Sequence, residues 1–162
     1  MSFYESLFGD LQQEGVRFVI VGGVAVVLHG CPRLTHDIDL VIDLEPAEAK
    51  HTVEVFRSLG FRPRLPVDPM GFADPAIRRS WIEDKSMTVF SFWDPKNPLR
   101  VVDLFAESPF PFEELWQRAK VVALGDISVR IAAVDDMIEM KKRAGRPHDL
   151  QDIEALKQLS ST

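Results

Sequence analysis

Two aspartates flank a single isoleucine in "HDIDLVID", at Asp37 and Asp39, inside an otherwise apolar run. Strand alternation that sets Ile38, Leu40 and Ile42 on one face sets Asp37, Asp39, Val41 and Asp43 on the other. Two carboxylates one pleat repeat apart suit a hard divalent cation, which takes oxygen ligands. The competing reading has both pointing to water on an exposed sheet face, and an isolated Asp-x-Asp does not decide between them. A second segment adds weight, because "RVVDLF" puts Asp103 among valines and a leucine, an expensive place for an unsatisfied carboxylate. Three aspartates on neighbouring strands would make a magnesium site. Asp94 and Glu107 compete for the third place, but each falls at a strand end or turn.

Ahead of the aspartates, "VRFVIVGG" reads as a buried strand stopping at Gly22 and Gly23, with a short helix, "VAVVLHG", to follow. A strand turning into a helix through glycines leaves amides and a helix amino terminus facing an anion such as a phosphate. A tight turn explains the same glycines.

The remaining elements must position these groups. Phe3, Leu7 and Leu11 recur at helical spacing, and Pro46 opens a helix to about Ser58, closed by Gly60. "SMTVFSFWDP" and "LRVVDLFAES" read as strands joined by "DPKNP". After a short helix at "FEELWQRA", "KVVAL" and "ISVRIA" form a hairpin around Gly125 and Asp126. Two helices follow, Val134 to Ala144 and Pro147 to Leu159, separated by Gly145. The expectation is one α+β domain over residues 1–162, a core of about 1–130 with a central mixed sheet and flanking helices, closed by a C-terminal helical pair at about 134–160.

The totals exclude some classes. With 19 basic and 25 acidic residues the formal charge is −6, against a protein held on nucleic acid by its overall field. A local basic patch of Arg33, Arg78, Arg79, Lys141, Lys142, Arg143 and Arg146 near the cleft mouth remains open. No apolar run is long enough for a membrane span, and the first residues mix charge into apolar positions, so a cytoplasmic protein is expected. Cys31, the single cysteine, reads as a half-buried thiol.

The order strand, Gly-Gly, helix, Asp-x-Asp strand, later strand with a third Asp is a specific combination. Val21, Gly22, Gly23, Asp37, Ile38 and Asp39 fill the signature of the minimal nucleotidyltransferases of the polymerase-β-like superfamily, which the chain resembles over nearly its whole length. The resemblance implies two magnesium ions, with manganese as a substitute, on Asp37 and Asp39, and Asp103 as the third ligand. It implies a nucleoside triphosphate on Gly22 and Gly23. "PRLTHDIDLVID", with Arg33 and Thr35, and "MIEMKKRAGRPHDLQDIEAL" look like the bacterial branch that includes toxins of type IV abortive-infection systems. There a tail lysine and aspartate also serve the site, pointing to Lys141 and to Asp149 or Asp152, with an antitoxin as partner; transfer RNA, a protein hydroxyl and an aminoglycoside are all compatible acceptors. Many members carry Ser where this chain has Gly23, so a hydroxyl to the terminal phosphates is expected to be missing.

Each of these has a plainer alternative. Met137, Ile138 and Met140 are core-facing helix positions, Asp149 and Asp152 suit a helix amino terminus, and a lysine-arginine run is ordinarily a solvated face. Among His29, His36, His51 and His148 only His36, beside Asp37, has a claim on the site. Asp37-Ile38-Asp39 also fits the haloacid-dehalogenase pattern, but there the aspartates end an apolar strand and here they begin one. A domain of the same fold that binds a nucleotide or a partner without catalysis is the remaining rival.

Overall fold

The computed structural model describes residues 2–35 and 37–160. Helix α1 (Phe3–Gln13) is capped by the Ser2 hydroxyl, which accepts from the Glu5 amide, and it buries Leu7, Phe8 and Leu11. Strand β1 (Phe18–Val21) is fully buried and runs directly into α2 (Gly22–Leu28), so the helix begins at the first glycine rather than after the pair. Strand β2 (Ile38–Ile42) leads to α3 (Pro46–Ser58), where Pro46 opens the helix as the sequence predicts.

Between α3 and the next predicted strand lie elements that the sequence reading leaves blank. A two-residue strand β3 (Arg62–Pro63) sits at the sheet edge, where a proline is tolerated. A 3-10 turn (Pro69–Ala73) and helix α4 (Pro75–Lys85) follow. The Asp74 carboxylate accepts from the Ala76 and Ile77 amides, and Pro75 takes the first turn, so the start signal was present in a stretch dominated by prolines.

Strands β4 (Val89–Asp94) and β5 (Asn97–Phe105) form the expected hairpin, and α5 (Phe112–Arg118) precedes a second one, β6 (Lys120–Leu124) and β7 (Ile127–Ile131). The chain then folds as α6 (Val134–Ala144) against α7 (Pro147–Ser160), with Gly145 left-handed at φ 65° between them. The fold is α+β, with a seven-stranded mixed sheet in the order β3-β4-β5-β2-β1-β7-β6.

Pairing in that sheet places the site. β1 and β2 are antiparallel with Val21 opposite Asp39, β2 and β5 are parallel with Asp39 opposite Asp103, and β4 and β5 are antiparallel with Ser91 opposite Asp103. Val21, Asp39, Asp103 and Ser91 therefore form one row across the four central strands. Beneath it Ile38, Leu40, Val102 and Leu104 are wholly buried, and stacked Phe56 and Phe92 rings, 4.9 Å apart, extend the same core.

Candidate active site

Asp39 and Asp103 are held side by side by the β2–β5 register. The Asp39 carboxyl is pushed up to about 7, first by burial, then by the charges of Asp103 and Asp37, against opposing pulls from Arg146 and Lys141. Asp103 is also raised, first by burial and further by Asp37. The Ser91 hydroxyl, donating to Asp103 Oδ1 at 2.5 Å, the Arg64 guanidinium and a hydrogen bond with Asp39 hold it back. Asp37 is exposed in the loop just before β2.

Among the described residues no three carboxylate, imidazole or thiol side chains are already gathered around one point. The expected trio is thus a close pair, Asp39 with Asp103, plus Asp37, whose charge reaches both. Its chemistry still fits a hard divalent cation, being carboxylate only, with Asp39 and Asp103 raised first by burial and then by neighbouring negative charge.

The two glycines answer to two different neighbours. Gly22 is left-handed, φ 67°, and a Cβ there would stand 2.1 Å from Asp39 Oδ2. Gly23 has ordinary backbone, but its Cβ would stand 2.5 Å from Thr35 Oγ1 and 3.7 Å from Arg33 Cζ. The Thr35 hydroxyl thus lies in the space that a side chain at position 23 would enter. No side chain caps the amides that begin α2.

The tail is a buried ion network. Lys141 is only 8% exposed, with Nζ 2.8 Å from Asp152 Oδ2 and 3.5 Å from Asp149 Oδ1. Asp152 also bonds Arg33, tying α7 to the loop between α2 and β2. Asp149, fully buried, accepts from Arg146 Nε at 2.9 Å. Burial alone would raise its carboxyl, but the Arg146 hydrogen bonds and the charges of Arg146 and Lys141 outweigh it and hold the group below the usual range. Both aspartates named as alternatives thus join the cluster, and Lys141 is no solvated surface lysine.

Two hollows flank Asp39. The polar one, about 260 Å³, is lined by Gly22, Gly23, Arg33, Thr35, Asp37 and His148 among others, and the other, about 490 Å³, by Asp103, Val89, Phe105, Met137 and Met140. Gly22, Asp39, Lys141 and Arg146 border both.

Sequence reasoning passed over Ser91 and Arg64, and it set aside His148, which lines the polar hollow. Ser91 was reachable, since the hairpin register places it opposite Asp103. The proposed basic patch needs correction: Arg78 is buried, donates to the Phe72 carbonyl at 2.6 Å and lies over the Phe72 ring, while Arg79 pairs with Glu83. Asp94 pairs with Arg100, and His29 and His51 bond the Ala132 and Glu14 carbonyls, so these are structural. Cys31 is a free, buried thiol. His36 lies outside the described residues.

The chain belongs to a family described as nucleotidyltransferase of unknown function (DUF6036), matched over residues 5–161. Solved structures share the fold. The lincosamide antibiotic adenylyltransferase LnuA, lincomycin-bound, superposes with a TM-score of 0.63 at 13% identity, covering 98% of each chain. A Thermotoga maritima protein described as a "putative nucleotidyltransferase" gives 0.58 at 16%, covering 100% of this chain and 97% of that one. ANT(2″)-Ia, in complex with adenylyl-2″-tobramycin, gives 0.60 at 14%, covering 98% and 91%. No curated protein matches the sequence. No helix among the described residues is long and apolar enough to cross a membrane.

Proposed function

We propose that the protein transfers a nucleoside monophosphate from a nucleoside triphosphate to an acceptor hydroxyl, in the cytoplasm where such triphosphates are made. The observation that carries this reading is the position of Asp39, paired with Asp103 and bordering both a polar hollow rich in cations and a second, less polar one. In the polar hollow Gly22 and Gly23 bring their amides close to the phosphates, Thr35 contributes a hydroxyl, and Arg33, Lys141 and Arg146 neutralise charge.

Magnesium, with manganese as a substitute, would be held by Asp37, Asp39 and Asp103, two ions in all, supplying the positive charge that brings the acceptor oxygen and the triphosphate together. Asp103, raised by burial and steadied by Ser91, takes the acceptor's proton. The acceptor oxygen bonds to the α-phosphorus, the bond from that phosphorus to the β-phosphate bridge breaks, and pyrophosphate leaves with the electron pair. The structural neighbours named for lincosamide and tobramycin chemistry keep small acceptors in view beside transfer RNA and protein.

The test is to incubate the purified chain with each α-labelled nucleoside triphosphate, magnesium and pooled cell acceptors, following pyrophosphate release. Release that requires metal and disappears in Asp39→Asn supports the reading. Tight triphosphate binding without release in any pool would favour the non-catalytic alternative. The sequence resemblance extends the proposal to a toxin acting with an antitoxin partner, and growth arrest on expression, lifted by the same substitution, tests that extension.

A further inference from the structure

A groove beside the aspartates has a lining unlike that of a nucleic-acid surface. The hollow at Asp103, about 490 Å³, shares Thr88, Phe105, Met140 and Ala144 with a neighbouring cavity of about 480 Å³. The two form one groove leading away from the aspartates on the side opposite Gly23 and Thr35, which line only the polar hollow. Its combined size is that of a pocket for a small organic molecule. Met137, Val89 and Phe105 wall the inner half, Ile82 and Met87 the outer, and Met140 spans both. Flexible thioethers and a ring edge fit an apolar body of irregular shape.

Charge separates the candidates. An RNA acceptor needs cations aimed at its phosphates. Apart from Lys141 and Arg146, which also border the polar hollow and serve the triphosphate there, the groove lining carries Arg143, which is tied to Glu139 and the Pro109 carbonyl, at 3.2 and 2.8 Å, with its guanidinium over the Phe110 ring. The outer half instead presents the exposed Glu107 carboxylate, and the inner end carries Asp39 and Asp103. A polyanion would meet negative charge at the outer end, whereas a neutral or cationic body meets apolar walls and a complementary carboxylate.

Resting on the transfer activity proposed above, we infer that the acceptor is a small hydroxyl-bearing molecule with an apolar body, uncharged or cationic, whose hydroxyl lies at Asp103 while its body follows Phe105 and Met140 toward Glu107. The nucleotide and acceptor thus enter from opposite sides of Asp39.

The experiment uses the full chain with α-labelled triphosphates and three separate acceptor pools: a low-mass cell extract, total RNA and total protein. Label is expected in the low-mass products. Two variants probe the groove: Ala144→Trp, at an exposed helix position, fills it, and Met140→Glu charges it. Each should lower low-mass transfer by at least about tenfold while leaving triphosphate affinity, read by calorimetry, unchanged. Binding of the neutral dye Nile red, followed by fluorescence, should fall in both variants, which tests the groove whether or not transfer is seen. Label on RNA or protein instead, or dye binding and transfer indifferent to both substitutions, would overturn the inference. A wild type that binds no triphosphate, or binds it and labels no pool, would instead sink the transfer reading, leaving the dye measurement to decide the groove.

Discussion

Gly22 has no side chain because Asp39 occupies the space where one would go: a Cβ would fall 2.1 Å from the carboxylate, on a backbone already at φ 67°. The glycine turn and the acidic pair are therefore one packing unit. Gly22→Ala pays a left-handed cost of about 1–2 kcal/mol and also displaces Asp39. The variant should melt several degrees lower and lose metal-dependent triphosphate binding, measured by thermal scan and calorimetry. Unchanged binding would separate the turn from the site.

Asp39→Asn should move stability and activity in opposite directions at neutral pH. It removes repulsion from Asp103 and Asp37 while leaving the side chain's size, so the melting temperature should hold or rise, and pyrophosphate release should fall by orders of magnitude. A destabilised variant with normal turnover per folded molecule would make Asp39 scaffold.

The same residue sets a pH dependence. In the unfolded chain the carboxyl releases its proton near 3.8, but in the folded protein only near 7. Between those values the folded state binds more protons, so stability without metal falls as pH rises. The contribution is complete below the unfolded value and lost as pH passes through about 7. Urea titrations at pH 5 and pH 8 should differ by a few kcal/mol in wild type and much less in Asp39→Asn, and magnesium should help more at the higher pH.

Thr35 and Gly23 make a reciprocal pair. Thr35→Ala should weaken triphosphate affinity about three- to tenfold, the loss of one hydrogen bond. Gly23→Ser alone collides with Thr35 Oγ1, but Gly23→Ser combined with Thr35→Ala returns a hydroxyl to the same space and should recover most of the affinity. A double variant no better than Thr35→Ala would show that the hydroxyl's exact origin matters.

Asp152→Asn leaves Lys141 leaning on Asp149 alone and frees Arg33 from α7. The cost should sit at the low end of roughly 3–5 kcal/mol, with a raised KM for the triphosphate. If Asp152 merely fills charge until substrate arrives, affinity would rise instead, and calorimetry reads the sign.

Much of this was legible in the chain because the signals were local. Alternation in "HDIDLVID", the Gly22–Gly23 stop, Pro46 and Gly145 each carry their meaning within a few residues, and the sheet, both hairpins and the helical pair follow from them. What escaped depended on pairing or crowding. Pro75 and Asp74 announce α4, yet the surrounding prolines mask the pattern. Ser91 acquires its place only from the register that sets it against Asp103, whereas Thr35 was legible from its motif and the fold adds its contact with Gly23. Arg78 looks like surface charge in the sequence, but it is drawn inside by a carbonyl and a ring.

The parallel pairing of β2 with β5 also sets when the site comes into being. Between those strands the chain builds α3, the 3-10 turn, α4 and β4, so Asp39 meets Asp103 across a long stretch of intervening sequence. Non-local pairing of this kind slows folding, because the loop must close before the contact repays it. Here the closing strands also bring two carboxylates together, and at neutral pH that repulsion falls on the same step. The chemistry thus acts as a brake on assembly: acid, or a cation taken up as the strands align, should quicken folding more than it slows unfolding.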